Sequence, residues 1–355
     1  MSVLSSRNTA RGFEIDPESL VKCDPSPGHA DKTSRPSSND ASAVKGCSMI
    51  VVLLVVGWYV CAIGCITSSK RILLDCPNPC LLSLSQFVVS VGAVRLLQFS
   101  GAVPPSSGRG QSLDKDAKVL LSRLVVAVGL SYCAGFLLTN LSFSLVSANF
   151  AETIKAGEPI SSVLLGYIIM HQTYSPFSYS CLVLICLGVG LSCVGVDGFS
   201  AWGFLCAVAS NFCFSYRAVL AKKLSVLFPG EVDELTLFSR IAVTGCAVML
   251  PLTLLLEGKS VWALLTASSD TALHLSTGAL LSLLLFNGAA YCAYNLLSFF
   301  VLYRTDIIMH AILNVCRRMV IIVFTAYFFR VRVSSLNAAG IALALCGVLL
   351  FSLKR

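Results

Sequence analysis

From Cys47 onward the chain is a succession of apolar runs, each about twenty residues long and each closed by glycine, proline or charge. Wound as a helix, such a run crosses the roughly 30 Å hydrocarbon core of a bilayer, where backbone N–H and C=O groups must be satisfied within the segment. The pattern predicts an all-α polytopic membrane protein. Composition agrees: 56% of residues are hydrophobic and 12% charged, where a soluble domain carries about 25% charge. The runs fall near residues 48–67, 80–99, 120–140, 147–169, 178–195, 201–220, 236–256, 274–299, 306–328 and 335–353, ten spans in all. Residues 47–355 would then form one transmembrane domain, built as two inverted five-helix repeats at roughly 47–197 and 198–355.

Residues 1–46 read differently. Rich in Ser, Pro, Asp and Lys, they lack the apolar surface that offsets the entropy of ordering, and predict a disordered tail. Lys and Arg in the short loops are biased towards the side that holds Arg109, Lys115, Lys118, Lys222, Lys223 and Arg304, against Lys70, Arg71, Lys259, Arg330 and Arg332, which places both termini in the cytosol. The tail has no basic start followed by an apolar stretch, and its six acidic residues set it apart from transit peptides. On that ground a Golgi or ER membrane is the favoured location and a plastid envelope the alternative.

Other classes of function fall away on inspection. The net charge of +8 is spread over short loops and spans, so there is no basic patch interleaved with aromatics and no nucleic-acid partner is expected. Most of the 16 cysteines lie in apolar runs, where they pack as small hydrophobes. Cys76 and Cys80, which bracket a proline-rich turn, would pair only in an oxidising compartment. No HExxH, GxSxG, GxGxxG or P-loop pattern occurs, and the four histidines have no ligand spacing, so no metal and no cofactor are expected and an enzyme is a minor alternative.

Three basic residues stand where a membrane span should have none: Lys155 in the fourth run and the adjacent pair Arg317 and Arg318 in the ninth. Each costs about 2.5–3.5 kcal/mol near the bilayer centre, so each has to face a polar cavity or a partner. Glu152, Lys155 and Glu158 follow at three-residue spacing, which allows a structural ion-pair ladder. The ladder leaves a surplus, because three cations meet two carboxylates and adjacent arginines project about 100° apart. The alternative is an anion-binding cavity. Two planar guanidiniums and one ammonium suit a dianionic phosphate, and unpaired cations in a closed, dry state would disfavour movement of an empty site.

Several segments resemble the triose-phosphate translocator family of the drug/metabolite transporter superfamily. They are WYVCAIGCITSSKRIL, TNLSFSLVSANFAETIKAGEPISSVLLG, SNFCFSYRAVLAKKL, YNLLSFFVLYRTDIIMHAILNVCRRMVIIV and SSLNAAGIALALCGVLLFS, which together run through residues 58–353. The resemblance implies that Lys155, Arg317 and Arg318 hold the substrate phosphate and that Thr139 and Tyr294 contact the substrate body. It also marks departures: Phe136 stands where chloroplast members carry a histidine, Glu152 adds a carboxylate three residues before the lysine, and the basic pair is Arg-Arg in place of Lys-Arg. Glu158 and His310 complete the expected pocket, His310 with the alternative of a packed core histidine. The implied activity is antiport of a phosphorylated small metabolite (triose phosphate, phosphoenolpyruvate or a sugar phosphate) against inorganic phosphate, in a monomer or homodimer within the lipid bilayer. The rival is a nucleotide-sugar/nucleoside monophosphate antiporter of the endomembrane system.

Overall fold

The computed structural model describes residues 38–100, 114–171, 173–194, 199–266, 277–305 and 307–353. The chain divides into two units, Met1–Ala43 and Val44–Arg355. In the first only the opening residues of α1 are described, and the rest of the expected tail lies outside the described residues, as do Arg109 and Asp306. All architecture below belongs to the second unit.

Twelve helices follow one another: α1 (Ser38–Asp75), α2 (Pro79–Phe99), α3 (Lys115–Leu145), α4 (Ala148–Lys155), α5 (Glu158–Met170), α6 (Pro176–Ser192), α7 (Ala201–Leu227), α8 (Glu234–Leu256), α9 (Gly258–Thr266), α10 (Thr277–Arg304), α11 (Ile307–Phe328) and α12 (Ser335–Leu353). Among the described residues there is no strand. Seven of the helices contain segments long and apolar enough to cross a membrane: Met49–Asp75, Pro79–Phe99, Lys115–Leu145, Ala201–Leu227, Leu235–Leu256, Gly278–Ser298 and Ser335–Leu353; Pro176–Ser192 is a shorter apolar helix. The chain is thus an all-helical polytopic membrane protein.

Helix starts follow local chemistry. Proline opens α2 and α6 and sits in the first turn of α5, where a missing N–H leaves nothing unsatisfied. Ser200 and Asp233 accept hydrogen bonds from Gly203 and Thr236 N–H as N-caps of α7 and α8.

The structure corrects three expectations. The fourth run is not one helix. Pro159 has no N–H for the Lys155 carbonyl and its ring would collide with it, so the helix stops at Lys155, turns through Ala156 and Gly157, and restarts at Glu158. The Ile154 carbonyl at this break accepts from Gly157 N–H (2.9 Å) and from Asn211 Nδ2 of α7 (3.0 Å). Next, the third run does not end at residue 140, because α3 continues to Leu145. Finally, Lys70 and Arg71 lie within α1 and not in a loop. Arg71 pairs with Asp75 at 3.2 Å, while buried Lys70 donates to the carbonyls of Phe143 (2.7 Å) and Val146 (2.8 Å), placing a cation on the negative end of α3.

Cys76 and Cys80 are both buried free thiols, and burial pushes the Cys76 thiol above its ordinary range. Glu257, just after α8, accepts from the N–H groups of Cys80 (2.9 Å) and Leu81 (2.8 Å) and so caps the positive end of α2. A buried polar chain ties four helices together. Asn287 of α10 donates to Ser68, Ser69 and the Cys65 carbonyl of α1 and accepts from Gln86 of α2, which in turn accepts from Asn140 of α3.

The helices pack most extensively as α3 on α7 and α6 on α12, with α2 against α8 and α10. The α6–α12 pair is backbone to backbone: a Cβ on Gly188 would lie 2.3 Å from Ala344 N, and one on Gly340 would lie 2.4 Å from Ser192 N. Neither neighbour can yield, since both are main chain. Gly188→Val should therefore destabilise the protein by at least the 1–3 kcal/mol or so of an overpacked core, whereas Gly190→Ala, whose Cβ meets nothing within 4 Å, should be neutral; thermal unfolding in detergent distinguishes them.

Candidate functional site

A cavity of 240 Å³ opens at the centre of the helices, and all nine residues singled out from sequence line it: Lys155, Arg317, Arg318, Thr139, Tyr294, Phe136, Glu152, Glu158 and His310. The break between α4 and α5 explains how Lys155 and Glu158 both reach it, one ending a helix and the other beginning the next. Arg317 and Arg318 sit mid-way along α11.

The charges form a cross-helix network. Arg318 Nη2 donates to Glu158 Oε2 at 2.6 Å, and its Nη1 stands 3.6 Å from Glu152 Oε2. Lys155 Nζ lies 3.5 Å from Glu152 Oε1. Both carboxylates are thus engaged with Arg318 and Lys155, and the ladder along one helix is realised only in its first step, because Glu158 turns to α11. Arg317 has no carboxylate within ion-pair distance among the described residues. Its Nε and Nη2 donate to Asn314 Oδ1 (3.2 and 2.9 Å), and its guanidinium rests over the rings of Trp58 (5.3 Å) and Tyr294 (5.8 Å). Aromatic faces attract a cation without neutralising it.

A fourth cation escaped the sequence reading. Arg217 of α7 lines the same cavity, packs its guanidinium over Tyr132 at 5.1 Å, and has a buried Nε with no hydrogen-bond partner among the described residues. An arginine interrupts the apolar run at 201–220 close to its end, where run length alone does not mark it as interior. With α7 running to Leu227, it lies deeper. Trp58, Tyr132 and Asn314 also went unnoticed, because a tryptophan, tyrosine or asparagine in a helix carries no mark of the direction it faces. Among the described lining residues, four cations against two carboxylates leave the cavity with a formal surplus of two positive charges.

The remaining walls are aromatic. Phe136 packs against Tyr132 (4.8 Å), Phe214 (5.1 Å) and Tyr291 (4.8 Å), and Lys155 Nζ lies 5.4 Å from the Phe214 ring. Thr139 donates to the Gly135 carbonyl at 2.8 Å, leaving its oxygen as an acceptor. His310 both lines the cavity and packs: its ring stacks on Trp58 at 5.1 Å and Nε2 lies 3.2 Å from Ser298 Oγ. Among the described residues no cluster of His, Cys, Asp and Glu has the arrangement of a metal site.

A family model for triose-phosphate transporters matches residues 49–352, the whole helical body around this cavity. The chain belongs to the Triose-phosphate Transporter family. Its similar relatives include the phosphoenolpyruvate/phosphate translocator 1, chloroplastic, of Oryza sativa subsp. japonica, 34% identical over 301 residues covering 84% of this chain and 70% of the relative. The triose phosphate/phosphate translocator, non-green plastid, chloroplastic, of Brassica oleracea var. botrytis is 32% identical over 323 residues, 90% of this chain and 76% of the relative. The phosphoenolpyruvate/phosphate translocator 1, chloroplastic, of Arabidopsis thaliana is 31% identical over 303 residues, 84% and 70%. These Triose-phosphate Transporter relatives overturn the expectation of a Golgi or ER membrane, since every one is chloroplastic. That expectation rested on the composition of the first 46 positions, which lie outside the residues that the family model matches.

Glu152, 2% exposed, touches two cations at once. Glu152→Ala is expected to destabilise the fold by about 3–5 kcal/mol, the loss typical when one partner of a buried pair is removed, and to do so less in an Arg318→Met background; thermal unfolding of the single and double variants measures the coupling.

Proposed function

We propose that this chain is an antiporter of a plastid envelope that exchanges a phosphorylated small metabolite for inorganic phosphate, and that it is a transporter and not an enzyme. The observation that carries the reading is the uncompensated cationic surplus of the cavity, centred on Arg317, in a family whose relatives are named as phosphate translocators. Lys155, Arg317 and Arg318 take the phosphate: guanidinium forks match its oxygens bidentately and the ammonium adds a point charge. Thr139, Tyr294 and Phe136 border the carbon skeleton, with Glu152 and Glu158 holding Lys155 and Arg318 in place and His310 steadying Trp58. Arg217, on α7, is suited to a second anionic group, which favours a substrate that carries a carboxylate beside its phosphate.

Relatives named as phosphoenolpyruvate/phosphate and triose phosphate/phosphate translocators favour this reading over the nucleotide-sugar alternative. The surplus charge also gives a reason for strict exchange. An empty site would have to close around like charges out of water, and occupancy by either anion removes that penalty.

The ten-span, inverted-repeat plan draws support from packing. Counting α4 and α5 as one broken span and leaving out the short α9, exchange of the two halves maps α2–α8, α4–α11 and α6–α12 onto themselves, and α2–α10 onto α3–α8, all pairs in contact, whereas the extensive α3–α7 packing has no comparable counterpart in α1–α10. The pseudo-twofold axis would then pass by the cavity between α4 and α11. The domain division at residue 47 and the cytosolic termini belong to the same reading.

Uptake of labelled phosphate into liposomes holding the purified protein tests it, with lumens preloaded with phosphate, triose phosphate, phosphoenolpyruvate, glucose 6-phosphate, UMP, GMP or buffer. Uptake is expected against phosphate and phosphorylated three-carbon acids and not against buffer; uptake only with nucleotides overturns the reading. Arg317→Ala and Lys155→Ala should each lower exchange by about tenfold or more, since a charge-assisted bond contributes about 1.5–3 kcal/mol, with insertion unchanged. Arg217→Gln should lower exchange of phosphoenolpyruvate more than that of triose phosphate, and equal losses would remove Arg217 from the carboxylate role.

A further inference from the structure

Asn314 lines the charged cavity one helical turn before Arg317 on α11, so the two side chains leave the helix on the same face. Arg317 reaches back to it with two donors, Nε at 3.2 Å and Nη2 at 2.9 Å, and both meet Asn314 Oδ1. Two guanidinium N–H groups on one atom of the amide identify that atom as oxygen, since the amide NH2 is a donor and cannot receive them. The other atom is therefore Nδ2. It has no hydrogen-bond partner among the described residues, yet it is not sealed off, because the buried side-chain atoms without a partner belong to other residues. An accessible donor beside a guanidinium, in the wall of a cavity with surplus positive charge, is a place for an oxygen of an anion.

What Asn314 lacks matters as much as what it offers. A carboxylate is the usual partner of two donors from one guanidinium, and an aspartate here would have the same shape and accept the same two bonds. The next residue, Arg318, is paired in that way, with Glu158 at 2.6 Å and Glu152 at 3.6 Å. Arg317 instead receives orientation without compensation, because an amide oxygen carries only a partial charge. The rings of Trp58 and Tyr294 on its other side do not neutralise it either. The choice of Asn over Asp therefore leaves the packing alone and changes the charge by one. With aspartate, the four cations among the described lining residues would face three carboxylates in place of two.

We infer that Asn314 is a ligand of the transported anion and the residue that keeps exchange obligatory: Nδ2 donates to the anion beside the Arg317 fork, and the neutral amide leaves Arg317 uncompensated until the anion arrives. An empty site then has to close around an unpaired guanidinium, which is costly out of water. A carboxylate at this position would supply the missing partner from within and let the empty site close. The inference rests on the phosphate-exchange reading and adds to it the residue that sets the coupling.

The test is uptake of labelled phosphate by the full-length protein in liposomes preloaded with phosphate or with buffer, read as the ratio of uptake into buffer to uptake into phosphate. Asn314→Asp is expected to raise that ratio about tenfold or more over wild type, and to raise KM for phosphate as the new carboxylate competes for Arg317. Asn314→Leu, neutral like the native residue but without its donor and acceptor, should raise KM for phosphate about tenfold and leave the ratio at the wild-type value. If Asn314→Asp fails to insert, Arg317→Gln removes the same charge and should raise the ratio where Asn314→Leu does not. A wild-type protein that takes up no phosphate against phosphate overturns the exchange reading itself. With wild-type exchange in hand, an unchanged ratio in Asn314→Asp overturns the inference. So does an equal rise in Asn314→Leu, which would trace the leak to disturbed packing, and so does an unchanged KM in Asn314→Leu.

Discussion

The contact on which the centre of this protein depends is the ion pair from Arg318 of α11 to Glu158 at the start of α5. It joins α5 to α11, 160 positions apart in the chain, and gives the buried Arg318 guanidinium the partner that a buried charge requires. Arg318 is held twice, by Glu158 and by Glu152, and Glu152 in turn holds Lys155. With its neighbour bound in this way, Arg317 is left to asparagine and aromatic partners that orient it without neutralising its charge. Structural pairing and anion binding are therefore not competing accounts of the same charges. The first engages the carboxylates, and it leaves Arg317 as the uncompensated charge on which the proposed anion binding rests.

This arrangement requires that the helix be broken between α4 and α5. A continuous helix through Pro159 is sterically barred, and the interruption brings the end of one helix and the start of another to the same wall. The freed Ile154 carbonyl is met by Asn211, so the break is satisfied from α7 and not left to water. The same device recurs at the edges of the bundle, where Lys70 closes α3 and Glu257 closes α2. In a low-dielectric surrounding, charges at helix ends do what solvent does elsewhere.

Much of this was legible in the residues. Apolar run length gave helices and a membrane, because a bilayer imposes one length on every span. Lys155, Arg317 and Arg318 announced a polar interior, because charge has no other place to go there. Other features were not legible. Arg217 stands near the end of the run at 201–220 but well inside α7, and Lys70 reads as a loop charge but meets the end of α3. Trp58 and Tyr132 were indistinguishable from the many other aromatics of an apolar chain.

By itself, the sequence determined that the chain is helical, that it spans a membrane, and which charges must be sheltered; these follow from local hydrophobicity and the cost of burying an ion. Only the tertiary structure decided how the charges are shared: which arginine takes both carboxylates, which is left with a surplus, and that a fourth cation joins them from α7. Pairing among residues 160 positions apart, as between Glu158 and Arg318, depends on helix packing across the two halves, and no periodicity within a single helix encodes it.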